Sequence, residues 1–397
     1  MSNMWSSALI GVLGLTQIAA GAPGAPATST KQCVELRVPV PVVALNHHYI
    51  MPRVDSNIDA IDWTVNVTTW SNPTAAERVT GDVSVDRTFN INAQLCVPSQ
   101  KGAKADILQI ATHGLGFDKR YFDVEVKPAE YSYVNAAVKK GYSILTYDRL
   151  GTGKSEKPDA YDLVQIPTEI EILAGLTKLA RSGKLISSSK ILSTSSNTTI
   201  PDVKPSKVVH VGHSFGSFLV ALMLSKYGTL SDGAILSSFL LTKLPMIDVL
   251  HYDHDFARQH DPVRFAEYGS GYFVLNTESC LQKLFFRKGA FEPELLSYTN
   301  KIKQPEAVGT YASEGTSSFA PAAQFKGPIQ LFNGEFDNFI CNGDCRGVYD
   351  KETTEFLFPG SKITPYLQPN TGHALNVATN ASAGYQVMLQ YLDSNGL

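Results

Sequence analysis

The sequence carries no excess of charge of either sign: 34 lysines and arginines stand against 37 aspartates and glutamates, a formal net charge of −3. A nucleic-acid binder neutralises phosphates with a basic face, so that class of partner is excluded. Long apolar runs are also missing, and outside the N-terminus nothing reaches the length that a membrane-spanning helix needs. No internal repeat is visible. Cysteine is scarce, with five in 397 residues (Cys33, Cys96, Cys280, Cys341 and Cys345). None has a histidine at zinc-finger spacing, so a zinc site is rejected. What remains, 43% hydrophobic and 18% charged residues, is a globular composition. The length suits one large α/β domain carrying an insertion.

The N-terminus reads SSALIGVLGLTQIAAGAPGAP, a short apolar core followed by small residues, with Ala20 and Ala22 spaced as a cleavage site requires. This pattern predicts a secretory signal peptide over residues 1–22, although no Lys or Arg precedes the core; the alternative is an uncleaved anchor or a frayed tail. Secretion agrees with three glycosylation sequons, at Asn66, Asn197 and Asn380, whereas Asn72 is excluded by the proline after it. Cys33 and Cys96 each fall in a strand-like stretch near the start, where a bridge between neighbouring strands would join them. Cys341 and Cys345 could pair with each other, or one of them with Cys280, and the odd count leaves one thiol over.

Along the chain, CVELRVPVPVVAL and VSVDRTFNINAQLCVP are β-branched and partly alternating, as antiparallel strands are. From Ala105 onward, short apolar runs alternate with amphipathic stretches: ADILQIATHG, then EYSYVNAAVKKG, then YSILTYDRLG, then TEIEILAGLTKLARSG, then KVVHVGHS. Strand alternating with helix predicts a mostly parallel sheet with helices on both faces. The alternation stops at Leu240 and resumes after Pro321. Residues 32–239 and 322–397 are therefore expected to form the core in two parts. Residues 240–321, rich in aromatics, are expected to form a helical lid over the carboxyl end of the sheet. The Ser-rich stretch 182–206 is expected to be a surface loop.

The strongest local signal is VVHVGHSFGS. Gly212-His213-Ser214-Phe215-Gly216 fits G-x-S-x-G directly after a strand and directly before a helix, the setting in which glycines permit a sharp turn that exposes a serine hydroxyl. A serine hydroxyl is a weak nucleophile and needs a base oriented by a third group. Downstream, LFNGEFDNF ends a strand and offers Glu335 and Asp337, and PNTGHALN ends the next and offers His373. His373 is the only histidine after Ser214 outside the expected lid. Asp337 is preferred to Glu335 because it lies beyond the turn glycine and can reach over the sheet. The anion formed on attack needs preorganised donors. The glycines of His113-Gly114-Leu115-Gly116 let backbone amides turn toward the serine, so the expected donors are the N–H groups of Leu115 and Phe215, with His113 structural.

Three weaker signals are set aside or left open. HYDHD, residues 251–255, has the residue types of a metal site but reads as a polar lid surface, and no cofactor is expected. Lid aromatics such as Tyr252, Phe256, Tyr268, Tyr272, Phe273, Phe285 and Phe286 either line an apolar acyl or aryl pocket or pack the lid. DRLGTGKS, residues 148–155, looks like the end of a phosphate-binding loop, but Asp148 stands where that loop has its first glycine, and no helix follows at once.

Taken together, HGLG, YDRLGTGKS, GHSFGS, NGEFD and TGHALN, in this order, resemble the α/β-hydrolase superfamily. The resemblance covers roughly Gln32 to Leu397, and within the superfamily the chain looks similar to secreted fungal serine hydrolases with a helical lid and an N-terminal cysteine-bearing strand pair. The resemblance implies the α/β-hydrolase fold and a Ser214/Asp337/His373 triad. It also implies that the Asp148–Ser155 stretch is the turn after the second parallel strand, with Asp148 and Arg149 as local hydrogen-bonding braces. Because resembling epoxide hydrolases and dehalogenases carry an aspartate at the elbow, the serine argues against their chemistry. The expected function is hydrolysis of a small-molecule carboxylic ester. The alternative is acyl transfer, thioester release or lyase chemistry with the same triad, and a non-catalytic binding protein is the third class. The oligomeric state is left open.

Overall fold

A computed structural model describes residues 31–69, 71–195, 200, 202–241 and 252–397. The expected signal peptide (1–22) and the Asn197 sequon lie outside the described residues. The chain opens with two long strands, β1 (Lys31–Tyr49) and β2 (Val79–Pro98), joined through the helix Asn57–Thr68. They pair antiparallel over nearly their whole length, and Cys33 faces Cys96 in register, where the two form a disulfide. In β1 the side chains of Val34, Leu36, Val38, Val40 and Val42 are buried, the period-two pattern of a sheet with one covered face.

The parallel part of the sheet comprises β3 (Ile107–Thr112), β4 (Ser143–Tyr147), β6 (Lys207–His213), β7 (Gly233–Ser237), β11 (Ile329–Gly334) and β12 (Ile363–Gln368). With β5 (Lys190–Thr194), the nine strands lie in the order β12-β11-β7-β6-β3-β4-β2-β1-β5. Every residue of β3, β4, β7 and β11 is buried. These strands are covered on both faces, so their sequences read as continuous apolar runs rather than alternating ones. One face packs against the helices Ile166–Arg181 and Phe215–Tyr227, the other against Tyr133–Lys139 and Ala381–Ser394. The chain leaves β3 toward β4 on one side, then returns to place β6 on the other side of β3. The carboxyl ends of β3 and β6 therefore open the crevice where open α/β sheets bind ligands.

Two expectations need correction. The Ser-rich stretch 182–206 is not loop throughout. Lys190–Thr194 forms β5, an exposed edge strand antiparallel to β1. It buries no side chain, so it has no alternating pattern to betray it; backbone pairing alone makes it a strand. The insertion is likewise not purely helical. It holds a three-stranded antiparallel sheet of β8 (His254–Phe256), β9 (Tyr272–Leu275) and β10 (Glu306–Ala307), in the order β10-β9-β8. Around it lie the helices Glu278–Phe285, Pro293–Ile302 and Val308–Glu314. The run YFVL is aromatic and β-branched, which favours strand where partners exist on both sides.

Candidate active site

Ser214 stands between β6 and the helix Phe215–Tyr227, with φ 53° and ψ −123°. A non-glycine residue at positive φ is strained and persists only where its surroundings hold it there. Here they do. The Ser214 amide donates to the Ser237 carbonyl at 2.8 Å, and its own carbonyl accepts from the Ser217 and Phe218 amides at 2.8 and 3.1 Å. The two glycines of the pentapeptide are demanded by space. A Cβ on Gly216 would sit 2.0 Å from the Thr112 carbonyl oxygen, and one on Gly212 would sit 2.4 Å from the Ser217 Cα. The turn can thus press against β3 and against its own helix only because both positions lack a side chain.

His373 and Asp337 come together at the ends of the neighbouring strands. The imidazole Nδ1 lies 2.7 Å from Asp337 Oδ2, and both side chains are buried. The other Asp337 oxygen accepts from the amides of Phe339 and Ile340 at 2.9 and 3.1 Å, capping the short helix Asn338–Cys341. One oxygen fixes the carboxylate and the other holds the imidazole. Glu335 is not brought to His373; its carboxylate accepts from the Asn370 amide at 2.9 Å. The Nε2 of His373 is buried and has no hydrogen-bond partner among the described residues. Phe285 stacks on the imidazole at 5.4 Å, Phe339 meets it at 5.0 Å, and His213 lies 5.1 Å away. His213 immediately precedes Ser214, so the imidazole lies in the serine's neighbourhood. Ser214 and His373 share no hydrogen bond among the described residues; such contacts commonly tighten only with substrate bound.

The loop after β3 runs against the serine, for a Cβ on Gly114 would lie 2.9 Å from Ser214 Cβ. No hydrogen bond from the amide of Leu115 or of Phe215 is present among the described residues. Both residues line the same cavity as Ser214. His113 is buried; its Nδ1–H donates to the Gly114 carbonyl at 2.8 Å and its Nε2 accepts from the Arg149 amide at 3.0 Å. Burial and the Arg149 charge hold its pKa down at about 3, so it stays neutral as a brace between two loops.

The GTGKS turn encloses a carboxylate of its own. Asp148 Oδ2 accepts from the Lys154 amide at 2.9 Å and Oδ1 from the Lys119 amide at 3.0 Å. Gly153 has φ +51°, and a Cβ there would lie 2.4 Å from the Asp148 carboxyl carbon. The space that a phosphate would take is filled by Asp148. Arg149, expected as a local brace, is instead buried between Glu169 and Glu306, two partners that no local pattern announces.

The cavity in front of Ser214 has a volume of about 550 Å³. Its walls are mostly apolar, with Trp63, Phe215, Phe218, Phe239, Tyr311 and Phe319 among them, and Arg78 and Glu314 are the charged residues that also line it. Of the lid aromatics singled out in the sequence, Tyr252 reaches this cavity and the others named do not line it. Phe273 packs on Trp63 at 5.1 Å, Phe286 on Phe291 at 4.9 Å, and Tyr268 on Tyr272 at 5.1 Å. The helix Asn57–Thr68, which supplies Trp63, was not legible as part of the site. In HYDHD, His251 lies outside the described residues. His254 stacks between Tyr252 and Phe273, Asp253 pairs with Lys283 and Asp255 with His260. No cluster of three potential metal ligands occurs among the described residues.

Cys341 and Cys345 form the second disulfide, and Cys280 is a buried thiol whose pKa burial raises. Asn66 is half-buried near the end of its helix. Asn380 accepts from Gln368 at 2.6 Å and Thr371 at 3.0 Å through its side-chain oxygen.

The Alpha/beta hydrolase family matches the chain over residues 110–381, more than half of its 397 residues. The chain belongs to that family, and hydrolysis is the activity that membership points to. No curated protein matches it. Among solved structures, it is similar to a bromoperoxidase from Bacillus anthracis at 19% identity, covering 77% of this chain and 96% of that one with a TM-score of 0.49. A thermophilic esterase from Thermogutta terrifontis matches at 13% identity, 78% and 95% coverage and a TM-score of 0.47. An enol-lactonase from Burkholderia xenovorans matches at 14% identity, 77% and 97% coverage and a TM-score of 0.47. At such identities nothing about the substrate transfers from them.

Proposed function

We propose that this protein is a serine hydrolase that cleaves a carboxylic ester through an acyl-enzyme intermediate. The observation that carries the reading is the buried His373–Asp337 pair, 2.7 Å apart, beside a strained serine. Ser214 Oγ attacks the ester carbonyl while His373 Nε2 takes its proton. Asp337 stays ionised, holds the Nδ1–H tautomer and stabilises the imidazolium. The oxyanion is met by the amides of Leu115 and Phe215, the second at the positive end of a 13-residue helix. His373 then protonates the leaving alkoxide, and water repeats the sequence in reverse to free the acid. The cavity of about 550 Å³, apolar over most of its wall, suits an apolar acyl or aryl group.

A fluorophosphonate probe is expected to label wild-type protein at Ser214, and Ser214→Ala is expected to lose both labelling and turnover of p-nitrophenyl esters. Labelling without turnover of any simple ester would redirect the reading to acyl transfer, thioester release or lyase chemistry with the same serine. Absence of labelling would leave a binding protein on this fold. Export fits the same reading: an apolar N-terminal stretch ending near Ala22, and two disulfides of the kind that persist in oxidising compartments. Mass spectrometry of protein recovered from culture medium tests this through a mature N-terminus near residue 23 and glycans on Asn66, Asn197 and Asn380.

A further inference from the structure

Arg149 enters the core from the loop after β4 and is buried together with Glu169 and Glu306. Each of its five guanidinium protons has an acceptor. Nε donates to Glu169 Oε2 at 2.7 Å, and Nη2 donates to Glu169 Oε1 and to Glu306 Oε2, both at 3.1 Å. Nη1 donates to Glu306 Oε1 at 3.3 Å and to the Gly114 carbonyl at 3.2 Å. The guanidinium carbon lies 4.4 Å from the centre of the Phe215 ring. Glu306 Oε1 also accepts from the Gly116 amide at 2.8 Å. Burying a charge is costly unless it is fully paired, so such a cluster is weak support for stability as such. Its placement is informative. Gly114 and Gly116 flank Leu115, and Phe215 carries the other expected oxyanion donor. One arginine and one glutamate thus touch the peptide that carries the first donor, the peptide after it, and the side chain of the residue that carries the second.

We propose that Arg149 and Glu306 are positioning residues that jointly aim the Leu115 and Phe215 amides at the oxyanion, and so tie the insertion, which supplies Glu306, to the chemistry. This rests on the serine-hydrolase reading above. A fixed pair of donors matters most where charge develops, so loosening it lowers kcat and leaves KM nearly unchanged. Lysine in place of Arg149 keeps the charge but loses the fork that reaches Gly114, Glu169 and Glu306 together. Glutamine in place of Glu306 keeps an acceptor for the Gly116 amide and alanine does not.

The test is steady-state hydrolysis of p-nitrophenyl butyrate by full-length Arg149→Lys, Glu306→Gln and Glu306→Ala, with kcat expressed per site titrated by fluorophosphonate, so that loss of folded protein does not count. Glu306→Ala and Arg149→Lys are expected to lose about 10- to 100-fold in kcat, a fraction of what deleting an oxyanion donor costs, with KM within about threefold. Glu306→Gln is expected to recover most of the loss. A trifluoromethyl ketone that forms a tetrahedral adduct is expected to bind more weakly in proportion to kcat. Wild-type kcat per titrated site in the variants that fold would overturn the proposal, as would a rise in KM alone or no rescue by glutamine. Should Glu306→Ala not fold, Glu306→Gln and Arg149→Lys decide the question by whether inhibitor affinity and kcat move together. Ser214→Ala, run beside them, separates the two readings: if it keeps full turnover, the serine-hydrolase reading falls, whereas its loss with unaffected Arg149 and Glu306 variants removes only the positioning role.

Discussion

Two glycine-bearing turns stand at carboxyl ends of the same parallel sheet, one after β4 and one after β6, and they differ in what their glycines make room for. In residues 148–155 the room at Gly153 is taken by Asp148, whose carboxylate binds the amides of Lys119 and Lys154, and the room at Gly151 by the Tyr272 ring. In residues 212–216 the glycines admit backbone, the Thr112 carbonyl on one side and the following helix on the other, and the serine between them faces a cavity. The first turn is closed by its own chain and the second is left open on one side. A glycine pattern therefore reports a close approach, and only the approaching atom says whether the turn is scaffold or site.

Changes at the two turns can break or sharpen this contrast. The largest effect is expected from Ser214→Ala, which removes the proposed nucleophile and should lower kcat by about 10⁴-fold or more with little change in unfolding midpoint. A similar loss of stability and activity together would mean that the serine is a packing residue. Next is Asp337→Asn, expected to cost about 10³- to 10⁴-fold in kcat by allowing the wrong imidazole tautomer. Glu335→Gln, measured alongside, should leave kcat almost unaltered, and the reverse order would assign the acid to Glu335. Gly216→Ala forces a Cβ to within 2.0 Å of the Thr112 oxygen. The displaced elbow should lower kcat/KM by about 100-fold in the protein that folds. Gly153→Ala, its counterpart in the closed turn, should lower stability by about 1–3 kcal/mol in urea denaturation and leave the kcat of folded protein near wild type. The smallest effect is expected from millimolar pyrophosphate or ATP, which should not shift the thermal midpoint at all. A stabilising shift lost in a Lys154→Ala variant would reopen the nucleotide reading of that turn.

Much of this site was legible because it is built from strand ends. A buried strand writes itself as an apolar run, and the residues just past such a run must lie at the carboxyl edge of the sheet. Gly114, Ser214, Asp337 and His373 could therefore be placed at one edge. Between Asp337 and Glu335, the useful clue was distance past the turn glycine, and the structure brings Asp337, not Glu335, to His373. The walls of the cavity were hidden. Trp63 comes from a helix between two antiparallel strands and Phe319 from the far end of the insertion, and nothing local marks either as facing Ser214. Phe273 and Phe286, which did draw attention, pack on other rings, Tyr311 and Phe291. An aromatic residue looks the same in sequence whether its neighbour is a substrate or another ring.

What the sequence determined by itself is what acts over a few residues: the periodicity of β1, the run of buried parallel strands, and the two glycines without which the serine turn cannot close. What only the tertiary structure decided are contacts between distant segments. The Arg149–Glu306 pair joins residues 157 apart in the chain, and the edge strand β5 joins β1 by backbone pairing alone. Such partners leave no local trace, because the free energy that selects them is gained when the whole fold excludes water from them, not by any propensity of the segments themselves.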